Sequence, residues 1–281
     1  SEEGAVPLLP IQSWFFDTPM VHRAHWNQAV LLEGPQAPDP DALRVALQAV
    51  VAHHGALRLR FEQDAQGAWQ QAYATDDVTS HDLLWEREAA DASQIDALCD
   101  EAQRSLNLTE GPLLRALLIR LPQGAWRLLL AIHHLAVDGV SWRILIDDLQ
   151  QAYEQARTHG PVTLPPNGTT YQAWAKRLAA HAQNTQVRDE LPYWQSVLDT
   201  PSALPMDDPQ GANTVREQQT ATFTLDRDTT HRLLHEVPAA YRTQINDVLL
   251  TALGRALCRW TGDESIRIDL EGHGREDLFD D

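Results

Sequence analysis

The sequence predicts a mixed α+β fold in two parts, and three observations carry that reading. Apolar residues recur with the helical period in some stretches and alternate with the strand period in others, interleaved along the whole chain. The segment GPVTLPPNGTT (160–170) concentrates residues that break regular structure, and it divides the chain into 1–165 and 166–281. Of 281 residues, 43% are hydrophobic and 22% charged, which excludes disorder and coiled coil and leaves enough apolar side chain for a real core.

The elements follow in order. LPIQSWFFD (9–17) reads as a short helix with Pro10 in its first turn. HWNQAVLLE (25–33) reads as a strand. Asp39, Pro40 and Asp41 supply an N-cap, a first-turn proline and an early acid. Leu43, Leu47, Val50 and Val51 recur behind them at helical spacing, so 41–53 is an amphipathic helix. Residues 57–62 alternate apolar and polar as a half-buried strand does, and 69–73 pairs with them across the DAQG turn. A helix over 93–106 precedes two apolar strands, 113–121 and 126–133, joined at Pro122, Gln123 and Gly124. Residues 140–157 form the next helix. Beyond the linker the pattern predicts helices at 171–182 and 188–198, a strand at 218–225, a long helix at 247–260 and a last strand at 266–271. Trp14, Phe15 and Phe16 are expected to face the core, and the remaining tryptophans to serve packing.

Charge and composition narrow the function. Lys and Arg number 22 against 40 Asp and Glu, a net charge of −18 that argues against a nucleic-acid partner, because phosphate backbones require a basic face. Two cysteines, Cys99 and Cys258, build neither a disulfide framework nor a thiolate metal site. No apolar run approaches the ~18 residues of a membrane span. Glu2 and Glu3 stand where a signal peptide carries basic charge, so a cytoplasmic protein is expected. No Gly-rich phosphate cradle or G-x-S-x-G elbow is present in the sequence.

The sharpest feature is HHLAVDG, His133 to Gly139, at the mouth of the apolar strand WRLLLAI. A histidine held there by a loop on a rigid sheet suits acid–base work near neutral pH. A buried histidine satisfying backbone groups is the alternative. A metal site would need three or four converging ligands at characteristic spacing, and the sequence offers none. Gly139 is expected to permit a tight turn before the next helix. The second pair, His53 and His54, ends a helix and reads as structural. EGHGRE (271–276) follows the apolar strand SIRIDL, with Glu271 at the strand's end and His273 and Arg275 on a glycine-flanked loop. On spacing alone it reads rather as a solvated turn with charged residues.

HHLAVDGVSW (133–142) resembles the condensation superfamily of nonribosomal peptide synthetases, whose members share a chloramphenicol-acetyltransferase-like fold and an HHxxxDG signature. PIQSWFFD with HWNQAVLLE, the DGVSW continuation ending in Trp142, and EGHGRE resemble the epimerization branch, in that branch's order. HHGALRLRF, LTEGPLLRALL and LPYWQSVL are similar to the wider superfamily. Trp26 stands where that branch commonly has Phe.

The resemblance implies two lobes in a V with a tunnel between them, 1–165 carrying HHxxxDG and 166–281 beginning the second. It implies His134 and Glu271 as the catalytic pair, with His133, Asp138, Gly139, Trp142, His273 and Arg275 in support. Asp138 is expected to form a buried pair with an arginine of its own lobe. The implied reaction is cofactor-independent epimerization of an aminoacyl or peptidyl thioester. The substrate rides on the 4′-phosphopantetheine of a peptidyl carrier domain, with adjacent synthetase domains as further partners and no metal. Amide-forming condensation and a silent docking module are the alternatives. The chain runs from Ser1 to Asp281 without an initiating Met, and family members are longer. The second lobe is therefore expected to be incomplete, with strands that neighbour 266–271 lying beyond Asp281.

Overall fold

A computed structural model describes residues 2–75, 81–275 and 277–279, and Glu276 of the EGHGRE motif lies outside them. The chain forms two compact units, Ser1–Asn184 with His273–Asp281, and Thr185–Gly272.

The first unit contains strands β1 (Ala5–Val6), β2 (Asn27–Leu32), β3 (Leu59–Gln63), β4 (Trp69–Tyr73), β5 (Leu84–Glu88), β6 (Leu114–Arg120) and β7 (Trp126–His133). Its helices are α1 (Pro10–Asp17), α2 (Pro40–His53), α3 (Ile95–Arg104), α4 (Gly139–Arg157) and α5 (Tyr171–His181). The strands form two sheets, ordered β1-β4-β3 and β2-β7-β6-β5. All neighbours are antiparallel except β5 and β6.

The four-stranded sheet positions the site. β6 is buried along nearly its whole length, Arg115 included, as suits a strand covered on both faces. On β7 the two-residue period divides the covering layers. Leu128, Leu130 and Ile132 pack with Leu47 and Val50 of α2 and Leu145 and Leu149 of α4. Leu129 and Ala131 pack with Ile95 and Ala102 of α3. Truncating a fully buried leucine such as Leu117 removes about 2–5 kcal/mol.

Local chemistry explains the element ends. The Asp39 carboxylate accepts from the N–H groups of Asp41 and Ala42, with Pro40 opening α2. Gln12 is buried, accepts from the Leu9 N–H at 2.9 Å, and exchanges amide hydrogen bonds with Gln71 of β4. That pair joins α1 to the three-stranded sheet. Asp64 accepts from Gln66 and Ala68 and closes the expected β3–β4 turn.

Several expectations need correction. Trp14 is 67% exposed, because α1 turns Gln12, Phe15 and Phe16 inward and leaves Trp14 on the opposite side. Trp26, Trp194 and Trp260 are also largely exposed rather than packed. Residues 57–58 belong to a 3₁₀ turn, Gly55–Arg58, so β3 starts at Leu59. The helix over 188–198 is two, α6 (Thr185–Asp189) and α7 (Leu191–Leu198), with Pro192 in the first turn of the latter, where its missing N–H costs nothing. Residues 218–225 and 266–271 are not strands: neither forms a ladder with any described residue, and alternation becomes a strand only against a partner edge. The Arg267 N–H bonds the Pro201 carbonyl alone.

The second unit continues with α8 (Arg227–His235), α9 (Val237–Tyr241) and α10 (Ile245–Thr261). The α8 helix was not anticipated, although Asp226 caps it through the Thr229 N–H. None of this unit's described residues is buried. No described helix is long and apolar enough to cross a membrane.

Amide exchange follows burial. In hydrogen–deuterium exchange, β6 and β7 are expected to be the most protected segments and α10 to exchange at least tenfold faster. Equal protection would mean that the second unit is stabilised by something other than its own packing.

Candidate active site

β7 ends by sending two adjacent imidazoles to opposite faces of the sheet. His133 pairs in register with Asn27, and the His134 N–H continues the ladder to the Trp26 carbonyl at 2.8 Å. His133 is fully buried beside the Phe15 ring, at a centroid distance of 5.8 Å. Its Nδ1 accepts from the Leu135 N–H at 3.1 Å, so Nε2 carries the proton and donates to the Arg23 carbonyl at 2.9 Å. Burial pushes its pKa down from 6.5 to about 4. Arg23 in turn donates to the carbonyls of Phe15 and Thr18, tying α1 to the same lock.

His134 has the opposite tautomer. Its Nδ1 lies 2.8 Å from the Val137 carbonyl, which only accepts, so Nδ1 carries the proton. Nε2 lies 3.2 Å from the amide nitrogen of Gln28, which donates to it. Gln28 is a residue that sequence reasoning missed. It lies within HWNQAVLLE, which the sequence marks as a strand and as part of the resemblance, but the role of its side chain can be read only once the register of β2 against β7 is known. With the rings on opposite faces, His133 and His134 do not converge on one ion.

Asp138 is the N-cap of α4. Its Oδ1 accepts from the Ser141 N–H at 2.7 Å and the Ser141 hydroxyl at 2.6 Å. Its arginine partner is Arg275 of the EGHGRE segment, at 3.3 Å. Both side chains are exposed by 40% or more, so the expected buried pair with an arginine of residues 1–165 is corrected. Burial pushes the carboxyl up. The Ser141 hydroxyl and N–H, then Arg275, outweigh it and hold the group below the usual range.

Gly139 does not make the anticipated tight turn. It is the exposed first residue of α4, its φ is not positive, and a Cβ there would meet nothing within 4 Å. Trp142 packs at the edge of the core and donates its Nε1–H to Gln28 Oε1 at 2.8 Å. His273 is exposed, and its Nδ1 accepts from the Arg275 N–H at 2.9 Å. Glu271 is exposed and belongs to Thr185–Gly272, the second unit.

The other histidine pair lies at the end of α2, where the His53 Nε2 is buried without a hydrogen-bond partner among the described residues. His54 Nε2 meets Asp148 Oδ2 at 2.7 Å and links the end of α2 to α4. The ligand atoms of His53, His54 and Asp148 lie within 4.8 Å of one another.

The condensation-domain family matches residues 2–280. The chain belongs to that family. It is 48% identical over 287 residues to one of the linear gramicidin synthase proteins of Brevibacillus parabrevis, covering 99% of this chain and 4% of that protein. The epimerization domain from the third module of tyrocidine synthetase B superposes with a TM-score of 0.86 at 38% identity, over 98% of this chain and 64% of that one. The first condensation domain of the calcium-dependent antibiotic synthetase gives 0.66 at 20% identity, over 92% and 62%, a likeness of fold alone. The chain thus spans a small part of the gramicidin synthase protein and just under two thirds of those two solved domains.

In this condensation-family domain the signature histidines therefore differ in kind, one a buried neutral lock and the other a ring with its lone pair at Nε2. Two measurements follow. The buried His133 ring holds its proton less tightly than in the unfolded chain, where the ordinary value is 6.5. Its contribution is complete above pH 6.5 and is lost as pH falls toward 4, by about 3 kcal/mol in all. The gap in unfolding free energy between wild type and His133→Asn should shrink by that amount from pH 7.5 to 4. For the half-exposed cap, Asp138→Ala should cost about 1–2 kcal/mol in denaturant unfolding, rather than the 3–5 of a buried pair.

Proposed function

We propose that this chain is an epimerization domain of a nonribosomal peptide synthetase, inverting Cα of an aminoacyl or peptidyl thioester through His134 and Glu271. The observation that carries the reading is the His134 ring, with Nδ1–H tied to the Val137 carbonyl and a proton-accepting Nε2. The 38% likeness to an epimerization domain supports this branch of the family. We read 1–165 as the lobe carrying His134 and 166–281 as the start of the lobe carrying Glu271.

The chemistry follows from the thioester. Its carbonyl stabilises the enolate formed when the Cα proton leaves, so a base near neutral pH suffices. Inversion requires a proton removed from one face and returned to the other, and His134 and Glu271 are the two carriers. When one takes the Cα proton, the other, in its protonated form, delivers to the opposite face. The pair then holds exchanged protons and resets through water. Each carrier contributes about 10²–10⁴ in rate. The protein needs no cofactor of its own for this. The substrate arrives on the 4′-phosphopantetheine of a peptidyl carrier domain, among adjacent synthetase domains.

The test is incubation with a carrier-bound L-aminoacyl thioester in D₂O, followed by hydrolysis, chiral separation and mass analysis. The D-isomer with deuterium at Cα is expected. A new amide formed with a carrier-bound acceptor would assign condensation instead, and an unchanged substrate would leave a docking role. His134→Ala and Glu271→Gln should each lower turnover at least ~100-fold with unchanged circular dichroism. Near-wild-type turnover by either variant would overturn the two-carrier mechanism.

A further inference from the structure

We infer that Gln28, locked by Trp142, is a positioning residue that fixes the tautomer and orientation of His134. The inference rests on His134 being the base of the proposed epimerization.

The network is polarised from both ends. The Trp142 indole N–H only donates, so the atom it meets at 2.8 Å must be the Gln28 oxygen. The Gln28 amide NH₂ is then turned toward His134 Nε2, at 3.2 Å. At the other end the Val137 carbonyl only accepts and claims the Nδ1 proton. No other assignment of the amide or of the neutral ring satisfies all three contacts.

The fold explains why these groups meet. Gln28 faces Ile132 in the β2–β7 register, and His134 faces Trp26, so Gln28 and His134 are diagonal neighbours on one face of the sheet. Val30, Leu130 and Ile132 of that face pack with α4, and Trp142 belongs to the same cluster. The first turn of α4, from which Trp142 projects, is held by the Asp138 cap and Arg275.

The arrangement has a chemical consequence. Once His134 Nε2 takes a proton, it faces an NH₂ donor that cannot turn its oxygen inward while Trp142 holds that oxygen. The imidazolium gains no acceptor from Gln28 and is poised to give the proton up. Trp142 thereby acts on the base through Gln28 without touching it.

The test uses the full chain with ¹⁵N-labelled histidine at pH 8, read by long-range ¹H–¹⁵N correlation. Wild type should show His134 protonated at Nδ1 and bare at Nε2. Gln28→Met and Trp142→Phe should both give mixed tautomers, and the latter keeps Gln28 in place. In the deuterium-exchange assay both should lower kcat by roughly 10–100-fold with KM within about twofold. The double variant should be no slower than Gln28→Met alone, because the two act in series. An unchanged His134 ring in both folded variants, or a raised KM with unchanged kcat, would overturn the inference. Shifted tautomers in a protein that never epimerizes would uphold Gln28's control of the ring and overturn the epimerase reading.

Discussion

The two-residue period at the end of β7 is the constraint on which the site depends. A strand cannot place consecutive side chains on one face. His133 and His134 are therefore committed to different environments before any catalytic requirement applies. The backbone then completes the distinction. Leu135 offers an N–H to His133 Nδ1, while Val137 offers a carbonyl to His134 Nδ1. One short loop thus favours opposite tautomers on neighbouring rings, and for His134 the Gln28 amide adds to that bias from the Nε2 side.

The sequence motifs form one connected structure around that strand end. α1 reaches His133 through Phe15 and through Arg23, whose carbonyl accepts the Nε2 proton. β2 reaches His134 through Gln28, and α4 reaches Gln28 through Trp142. The EGHGRE segment reaches α4 through Arg275. Each link is a hydrogen bond or ring contact worth on the order of 1 kcal/mol. Their effect lies less in stability than in leaving His134 a single orientation.

Much of this was legible in the sequence wherever a local rule acts alone. Asp39 and Pro40 announce α2, and the largely apolar stretches 113–121 and 126–133 announce the strands β6 and β7. Non-local features were not legible. β1 is two residues long, and β5 is a strand only because β6 offers it a parallel edge. The alternation in 218–225 and 266–271 lacks such an edge among the described residues. In the site, His134 and Asp138 stood out through their motif, yet the arginine that meets Asp138 lies 137 residues away. Gln28 sits in HWNQAVLLE, a motif that gives no role to this side chain until the pairing of Trp26 with His134 places it beside the ring.

Neutron diffraction of the deuterium-exchanged chain tests this division most directly, because it locates the ring protons. The account predicts deuterium on Nε2 of His133, pointing at the Arg23 carbonyl, and on Nδ1 of His134, pointing at the Val137 carbonyl, with His134 Nε2 bare. Deuterium on His134 Nε2 facing an inverted Gln28 amide, or the same tautomer in both rings, would contradict it.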